Sequence, residues 1–377
     1  MSDVAELTGR LVEIESINPG VVAGGSGELG LARFVAEWCE RAGLETTLTE
    51  LRPGRANVVA AARGSGGGRS LMLNAHLDTV GVDGMTDPFV PRIEAGRLYG
   101  RGAQDMKGSL AACMLAAADT KRRRLRGDVI VTAVADEELA SIGTQAIAAT
   151  LSADAAIVTE PTDLRVAVAH RGFVHLEVEV TGRAAHGSRP DVGIDAIAKM
   201  GRVLVGIEEL DRSLRAHPGH PQLGSGSVHA SLIDGGQEFS SYPARCRVQG
   251  ERRTIPGETA ALAEQELREI VARAGEGDPQ FSAEVRAPIS REPFEVSETE
   301  EIVQLVRRHG EAVLGREPEI VGVPFWADSA LLAAVGIPTV VFGPTGEGLH
   351  SEVEWVDLAS LEQCVEIYSR VAAGLCS

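Results

Sequence analysis

Short apolar runs alternate with helical stretches over the first 160 residues of this chain. Residues 57–62 and 70–75 have the composition of buried strands, 108–123 has the apolar spacing of a helix, and 129–135 is again strand-like. Neighbouring parallel strands must be joined by a crossover connection, which is usually a helix. The alternation therefore predicts an α/β fold around a mostly parallel sheet that is covered on both faces.

The pattern changes after about residue 170. Residues 173–182 alternate strictly between apolar and polar side chains, which is typical of an antiparallel strand with one solvated face. A helix, two strands and a second helix are then expected at 194–211, 228–233, 243–252 and 257–274. This β-α-β-β-α-β order predicts an α+β, ferredoxin-like domain in which two helices cover one antiparallel sheet.

The α/β pattern returns near residue 297 and continues to a final helix at 357–374. A chain of 377 residues is too long for one ordinary hydrophobic core. We therefore expect a larger α/β domain made of residues 1–170 and 289–377, with the α+β domain inserted as residues 171–288.

The composition argues against several classes of protein. A net charge of −18 is unsuited to binding nucleic acid or an anionic membrane surface. No apolar run reaches the roughly 18–20 residues that a membrane span needs, and the N-terminus lacks the features of a secretory signal. The five cysteines have neither zinc-site nor redox-motif spacing, so we expect free thiols and a cytoplasmic protein.

Several predicted strands end in side chains that can bind metals. The residues concerned, including one that precedes a helix, are His76, Asp78, Asp105, Asp136, Glu137, Glu138, Glu160 and His350. Each alone is more often a loop, cap or surface residue, but ligands of open α/β sheets bind beyond the carboxyl ends of the strands. Crowded carboxylates repel one another unless a cation compensates them. The group therefore predicts a metal site, and its nitrogen and oxygen atoms suit zinc, manganese or cobalt.

Six motifs resemble the M20-type metallopeptidase family, which contains acetylornithine deacetylase, succinyl-diaminopimelate desuccinylase, aminoacylase and glutamate carboxypeptidase. They are HLD at 76–78, GRGAQDMKG at 100–108, DEE at 136–138, EPT at 160–162, RTIPGE at 253–258 and HSEVEWV at 350–356. The motifs follow the order of the family and span most of the chain. The resemblance implies a dinuclear zinc-peptidase domain of the α/β class with an inserted dimerisation or lid domain.

The resemblance also implies roles for the metal-binding residues. Asp105 would bridge two divalent metal ions, with zinc as the first expectation and cobalt or manganese as alternatives. The remaining ligands would be His76 and Glu160 for one ion and Glu138 and His350 for the other.

Further roles around these ligands follow from the same resemblance. Glu137 would be the general base. Asp78 would accept the distal N–H of His76 and so fix the tautomer of the ring. The peptide bond between Asp105 and Met106 would be cis.

Three residues of the inserted domain are expected to contact the substrate. By resemblance, His186 would reach across a dimer interface to the substrate carbonyl, and Arg253 would bind the substrate carboxylate with two hydrogen bonds. Ser240 stands where family members often have asparagine, so contacts to the substrate are expected to differ there. The neighbouring Arg252 is expected to be an ordinary surface arginine.

The implied function is metal-dependent hydrolysis of the amide bond of an N-acyl amino acid by a homodimer. The alternative is M20-type carboxypeptidase or dipeptidase action on small peptides. Glu160 favours the deacylase and peptidase branches of the family, because relatives that act on carbamoyl and ureido groups tend to have histidine there. A non-catalytic binding protein fits less well because all five ligands and the base are present, and a metallophosphatase lacks support from any phosphate-binding glycine loop.

Overall fold

A computed structural model describes residues 2–377, and these residues form two units. Unit 1 comprises the chain up to Val168 together with Val296–Val321 and Ala327–Ser377. Unit 2 comprises Ala169–Glu295 and Gly322–Trp326.

Helices and strands alternate through most of the described chain. The helices are α1 (Asp3–Val12), α2 (Leu29–Arg41), α3 (Gly108–Arg123), α4 (Ile142–Thr150), α5 (Ala196–Ala216), α6 (Ala260–Gly275), α7 (Glu301–Leu314), α8 (Ser329–Ala334) and α9 (Leu358–Leu375). The strands are β1 (Glu45–Arg52), β2 (Arg55–Ala62), β3 (Leu71–His76), β4 (Arg92–Glu94), β5 (Arg97–Tyr99), β6 (Val129–Val134), β7 (Ala155–Val158), β8 (Val166–His170), β9 (Gly172–Thr181), β10 (Ser227–Gly235), β11 (Arg245–Thr254), β12 (Ser282–Arg291), β13 (Phe294–Glu295), β14 (Ile320–Val323), β15 (Thr339–Val341), β16 (Gly346–Glu347) and β17 (Trp355–Asp357).

The large sheet is parallel in its centre and antiparallel towards its margins. Its strands lie in the order β1-β2-β6-β3-β7-β15-β8, and both β13 and β14 pair with β8. The parallel pairs are β3 with β6, β3 with β7 and β15 with β7. The predicted α/β class is confirmed, with a sheet that is mixed overall. A further small antiparallel sheet has the order β16-β17-β5-β4.

The central strands are covered on both faces. Every residue of β3, β6 and β7 is buried, which explains why these strands are continuous apolar runs. Helix α3 begins with small side chains and packs closely against α1, α9 and the sheet. The parallel strands are therefore fixed by packing on both sides, and the loops at their carboxyl ends start from rigid positions.

Unit 2 contains the predicted ferredoxin-like arrangement. Its elements follow the order β9-α5-β10-β11-α6-β12, and its antiparallel sheet has the strand order β10-β11-β9-β12. Alternate residues of β9 are buried, as their pattern in the sequence predicts. These are Val174, Leu176, Val178 and Val180. They form one core with apolar side chains of α5 and α6.

No helix formed by residues 2–377 combines the length and the apolar character that crossing a membrane requires. All five cysteines lie in this part of the chain, where they are buried and free of disulfide bonds.

Candidate metal centre

Three adjacent parallel strands end at the same edge of the large sheet. β6, β3 and β7 lie side by side, and His76 at the end of β3 is opposite Val134 of β6. The acidic segment 136–138 follows β6, and Glu160 follows β7. The topology thus brings one imidazole and several carboxylates to one edge, where ligands of such sheets bind.

A buried glutamate holds the loop that carries Asp105. Glu354 Oε1 accepts the backbone N–H groups of Gln104 at 2.9 Å and of Asp105 at 3.1 Å. Its Oε2 accepts the N–H of Gly102 at 2.9 Å and the guanidinium of Arg101 at 2.7 Å. Because one carboxylate receives four donors from consecutive parts of the loop, the backbone at Asp105 has a defined position.

The two oxygens of the Asp105 carboxylate face different imidazoles. Oδ1 lies 2.9 Å from His76 Nε2, and Oδ2 lies 3.4 Å from His350 Nε2. Glu160 Oε1 is 3.8 Å from His76 Nε2, whereas Glu138 Oε2 is 3.1 Å from His350 Nε2. Asp105 therefore stands between a pair formed by His76 and Glu160 and a pair formed by His350 and Glu138. The peptide bond after Asp105 is cis, as the family resemblance implies.

The positions of these side chains are suited to binding divalent cations. Ligand atoms of His76, Asp105 and Glu138 all lie within 4.8 Å of one another, and those of His76, Glu137 and Glu160 do so as well. Glu138 Oε1 is buried and has no hydrogen-bond partner among residues 2–377. A buried carboxylate oxygen without a partner is costly, and a cation would satisfy it.

The carboxylates of this centre create a strongly negative environment. Burial raises the pKa of Glu138, and the charge of Asp105 adds to the effect. Burial and the charge of Glu160 raise the pKa of Glu137 well above its usual value. Hydrogen bonds to Asp105 and Glu138 raise the pKa of His350 to about 10. Such a cluster attracts positive charge, which divalent cations supply more effectively than protons.

The Asp78 carboxylate contacts the backbone of the acidic segment, whereas the Asp78 carbonyl contacts the ring of His76. His76 Nδ1 lies 2.9 Å from the backbone carbonyl oxygen of Asp78 but 3.7 Å from its Oδ1. The Asp78 carboxylate instead accepts the N–H of Glu137 at 3.1 Å and that of Glu138 at 3.2 Å. Asp78 is thus the residue that His76 Nδ1 faces, through its backbone carbonyl oxygen rather than its carboxylate. The turn after β3 brings the carbonyl closest to the ring, and the carboxylate is taken up by two backbone donors.

Two of the residues expected to contact the substrate lie close together in unit 2. The carbonyl of Ser240 accepts the N–H of Gly187 at 2.7 Å, and both Ser240 and His186 are exposed. His186 Nδ1 accepts the backbone N–H of Ser188 at 3.2 Å. A neutral imidazole whose Nδ1 is an acceptor carries its proton on Nε2. His186 therefore offers an Nε2–H donor.

Arg253, at the end of β11, is half-buried in unit 2. Its guanidinium carbon lies 5.5 Å from the ring centroid of Phe173, and its Nε forms an ion pair with Glu251. An aromatic face and a carboxylate thus hold the guanidinium in place, which favours recognition of a further carboxylate.

The neighbouring Arg252 is buried, with only 1 % of its side chain exposed. It forms ion pairs with Glu258 at 2.8 Å and with Glu266 of α6 at 3.0 Å. The expectation of a surface arginine is therefore wrong. Arg252 shares the buried face of β11 with Val248, because residues separated by an even number of positions lie on the same face of a strand.

The sequence alone indicates no role for two buried acidic residues near the centre. One is Glu354, which stands inside the HSEVEWV motif and binds the Asp105 loop. The other is Asp328, which accepts the Thr144 hydroxyl at 2.5 Å and whose pKa burial raises to about 6. Its only signal in the sequence is an acidic residue within the apolar stretch VPFWADSALL, where a helix cap is the simpler interpretation.

Comparisons with known proteins agree with this fold. A family model described as peptidase family M20/M25/M40 matches residues 72–374. The chain is 32% identical over 333 residues to acetylornithine deacetylase of Myxococcus xanthus, covering 85% of this chain and 84% of that protein. It is 28% identical over 365 residues to N-formyl-4-amino-5-aminomethyl-2-methylpyrimidine deformylase of Halalkalibacterium halodurans, covering 88% and 85% of the two proteins.

The fold is also similar to a solved structure, that of a dinuclear metal binding peptidase of family M20 from Bacillus subtilis. The TM-score is 0.76 at 18% sequence identity, and the match covers 99% of this chain and 97% of the other. The family model extends over most of the sequence, including every predicted metal ligand. The chain therefore belongs to peptidase family M20/M25/M40, a family of hydrolases.

Proposed function

We propose that this protein hydrolyses the amide bond of an N-acyl amino acid at a pair of divalent metal ions. The observation that carries the proposal is the position of Asp105, whose two carboxylate oxygens face His76 and His350 at 2.9 and 3.4 Å. A carboxylate in this position is suited to bridge two ions. The similarity to an acetylornithine deacetylase supports removal of an acyl group as the reaction.

In this proposal Asp105 would bridge two divalent ions, with zinc expected and cobalt or manganese as alternatives. The other ligands are His76 and Glu160 for one ion and Glu138 and His350 for the other. A carboxylate oxygen lies 3.8 Å from the imidazole Nε2 in the first pair and 3.1 Å from it in the second, which supports this division. A bound pair of such ions polarises a carbonyl group and makes a water molecule more acidic.

Glu137 acts as the general base. Its backbone N–H is held by Asp78, and a carboxylate oxygen lies within 4.8 Å of ligand atoms of His76 and Glu160. Since the adjacent Glu138 is directed to His350, Glu137 remains to take the proton of the attacking water. The same carboxyl group then delivers that proton to the leaving nitrogen.

His186 donates its Nε2–H to the oxygen of the scissile carbonyl, where negative charge develops during attack. The hydrogen bond from the Ser188 backbone to Nδ1 supports this role, because it fixes the tautomer that has the donor on Nε2. In the proposed homodimer the donor is the partner subunit's His186.

Arg253 and Ser240 bind the substrate away from the reacting bond. The planar guanidinium of Arg253 accommodates the free carboxylate of the amino acid with two parallel hydrogen bonds. The exposed Ser240 hydroxyl contributes a contact to the substrate backbone.

The proposed homodimer forms through the inserted domain. β10 is an edge strand of the sheet in unit 2, and α5 packs beside it. Leu232 and Ile233 of β10 are 65% and 57% exposed, and Ile197 and Val205 of α5 are exposed as well. An open strand edge with exposed apolar side chains around it favours pairing with a second copy.

A carboxypeptidase or dipeptidase reaction on small peptides is the alternative, because the same residues could cleave either kind of amide. The second relative is a deformylase, so both named relatives remove an acyl group, which favours deacylation. We place the reaction in the cytoplasm, because five free cysteines are typical of a reducing compartment.

The test is a screen of the purified protein against N-acetyl, N-formyl and N-succinyl amino acids and a set of dipeptides. We expect amine release from N-acyl amino acids that stops with a chelator and returns when zinc, cobalt or manganese is added. Release from dipeptides alone would support the alternative. The absence of any metal-dependent amide cleavage would contradict the proposal.

A further inference from the structure

A buried asparagine joins two acidic residues behind the metal centre. Asn18 Nδ2 donates to Asp78 Oδ2 at 2.7 Å and to Asp136 Oδ1 at 2.9 Å, and Asn18 Oδ1 accepts the N–H of Gly20 at 2.8 Å. Asn18 and Asp78 are inaccessible to solvent. Because both N–H bonds donate and the oxygen accepts, only one orientation of the amide satisfies its surroundings.

A guanidinium holds Asp136 from another direction. Arg55 Nη2 donates to Asp136 Oδ1 at 2.7 Å, and its Nε and Nη2 donate to the Glu28 carboxylate at 2.6 and 2.7 Å. Glu28 Oε1 in turn accepts the backbone N–H of Asp136 at 3.1 Å. The ion pair of Arg55 and Glu28 therefore binds both the side chain and the backbone of Asp136.

This network ends on the backbone of the general base and of a predicted ligand. The Asp78 oxygens accept the N–H groups of Glu137 and Glu138, and Asp136 directly precedes these residues. Asp136 has a φ of 69°, in a region that residues other than glycine seldom occupy. Its conformation thus requires support from outside the segment, and Asn18, Arg55 and Glu28 supply contacts to it.

We propose that Asn18 and Arg55 are positioning residues that hold Glu137 and Glu138 in the geometry of the metal centre. This inference rests on the proposed function, which gives Glu137 and Glu138 their roles. Asp78 and Asp136 have like charges, and without donors between them they would move apart. Asn18 and Arg55 provide those donors, so Asp78 keeps both oxygens in place for the two backbone N–H groups.

Two substitutions separate the donor role of Asn18 from simple filling of space. Asn18→Asp keeps the shape but replaces the two N–H donors by a third carboxylate facing Asp78 and Asp136. Asn18→Ala leaves a space in which a water molecule can donate to both carboxylates. The donor role therefore predicts that Asn18→Asp is the more damaging change, whereas space filling predicts that Asn18→Ala is.

The first readout is hydrogen–deuterium exchange of residues 135–141 in the full-length protein. In Asn18→Asp we expect the Glu137 and Glu138 amides to exchange roughly five to ten times faster. The second is the visible absorption spectrum of the cobalt-loaded enzyme, which we expect to change. For hydrolysis, kcat should fall roughly 10- to 100-fold with little change in KM. Arg55→Lys, which keeps the charge without the forked guanidinium, should act in the same direction.

Val35→Ala is the control for a general loss of stability, since Val35 lies in the apolar core on α2. It should lower the unfolding temperature and leave both the cobalt spectrum and the relative exchange of the acidic segment unchanged. Wild-type exchange and spectrum in Asn18→Asp, or a larger effect of Asn18→Ala, would overturn the inference. Hydrogen–deuterium exchange and the cobalt spectrum need no substrate, so they test the positioning role even if the unchanged protein hydrolyses no amide. That last result would contradict only the proposed function.

Discussion

Asp78 Oδ1 accepts the backbone N–H of Glu137 at 3.1 Å, while the ring of His76 is bonded to the backbone carbonyl of Asp78. The side chain and the backbone of one residue thus act on two different parts of the metal centre. The carboxylate holds the segment that carries the proposed base, and the carbonyl contacts an imidazole.

Asp78→Asn should separate these two actions. The substitution leaves the carbonyl bound to His76 in place but gives the acidic segment an amide, only one end of which can accept. We expect kcat to fall roughly 10- to 100-fold while the metal content stays unchanged. Kinetics with metal analysis by mass spectrometry checks this, and selective loss of one metal ion would contradict the expectation.

Glu137→Gln should abolish proton transfer without removing the metal. Glutamine has nearly the same shape but cannot take a proton from water, so we expect kcat to fall by about two to four orders of magnitude. The metal content should equal that of the unchanged protein. Glu37→Gln, at an exposed position of α2, is the matched control and should hydrolyse substrate normally. Turnover by Glu137→Gln close to that of the control would reject Glu137 as the base.

Asp105 and His350 should differ in how many ions depend on them. The Asp105 carboxylate faces both imidazoles, whereas His350 lies next to Asp105 and Glu138. We therefore expect Asp105→Ala to weaken binding of both ions and His350→Ala to weaken binding of one. Calorimetric titration of the metal-free protein with zinc gives the number of zinc-binding sites in each variant. Equal stoichiometry in the two variants would argue against Asp105 as the bridge.

The proposed dimer predicts complementation between two inactive variants. If His186 acts on the substrate of the partner subunit, a mixed dimer of His186→Ala and Glu137→Gln has one complete active site. Refolding the two variants together, or letting their dimers exchange subunits, should then restore part of the activity that each variant lacks alone. If His186 acts within its own subunit, every site in the mixed dimer lacks one of the two residues, and the mixture stays inactive.

Much of the fold could be predicted because its information is local. The apolar runs of β3, β6 and β7 and the alternating pattern of β9 each lie within ten residues, so burial on two faces or on one is visible in the sequence. The expectation of ligands at the strand ends follows from the same runs. Whether these side chains bind metal, and whether His186, Arg253 and Ser240 contact substrate, remain predictions that the experiments above test.

Other features depend on partners that are distant in the sequence. Nothing next to Glu354 indicates that its carboxylate binds a loop about 250 positions earlier, and nothing next to Asn18 indicates Asp136. The edge strand β1, with the sequence ETTLTELR, has no buried residue and therefore no clear apolar pattern. In each case, the tertiary contact decides the structure and the local sequence is compatible with alternatives.

Arg252 provides a prediction about the stability of unit 2. Its buried guanidinium pairs with Glu258 and Glu266, and removing one partner of a buried ion pair leaves charges without compensation. We expect Arg252→Ala to lower the free energy of unfolding by about 3 kcal/mol. Helix α6, which carries Glu266, also has an exposed ion pair between Arg268 and Glu264. Arg268→Ala removes this pair and should lower the free energy of unfolding by less than about 1 kcal/mol.

Urea unfolding of the two variants, followed by circular dichroism, measures the difference. Glu258 also accepts the backbone N–H of Ile255 at 3.0 Å. Without the Arg252 guanidinium, the Glu258 side chain is held less firmly, which should loosen the turn that follows Arg253. We therefore expect Arg252→Ala to raise KM as well, because the Arg253 guanidinium that we propose binds the substrate carboxylate loses its fixed position. Equal stability of Arg252→Ala and Arg268→Ala would show that the buried ion pairs contribute no more than the exposed one.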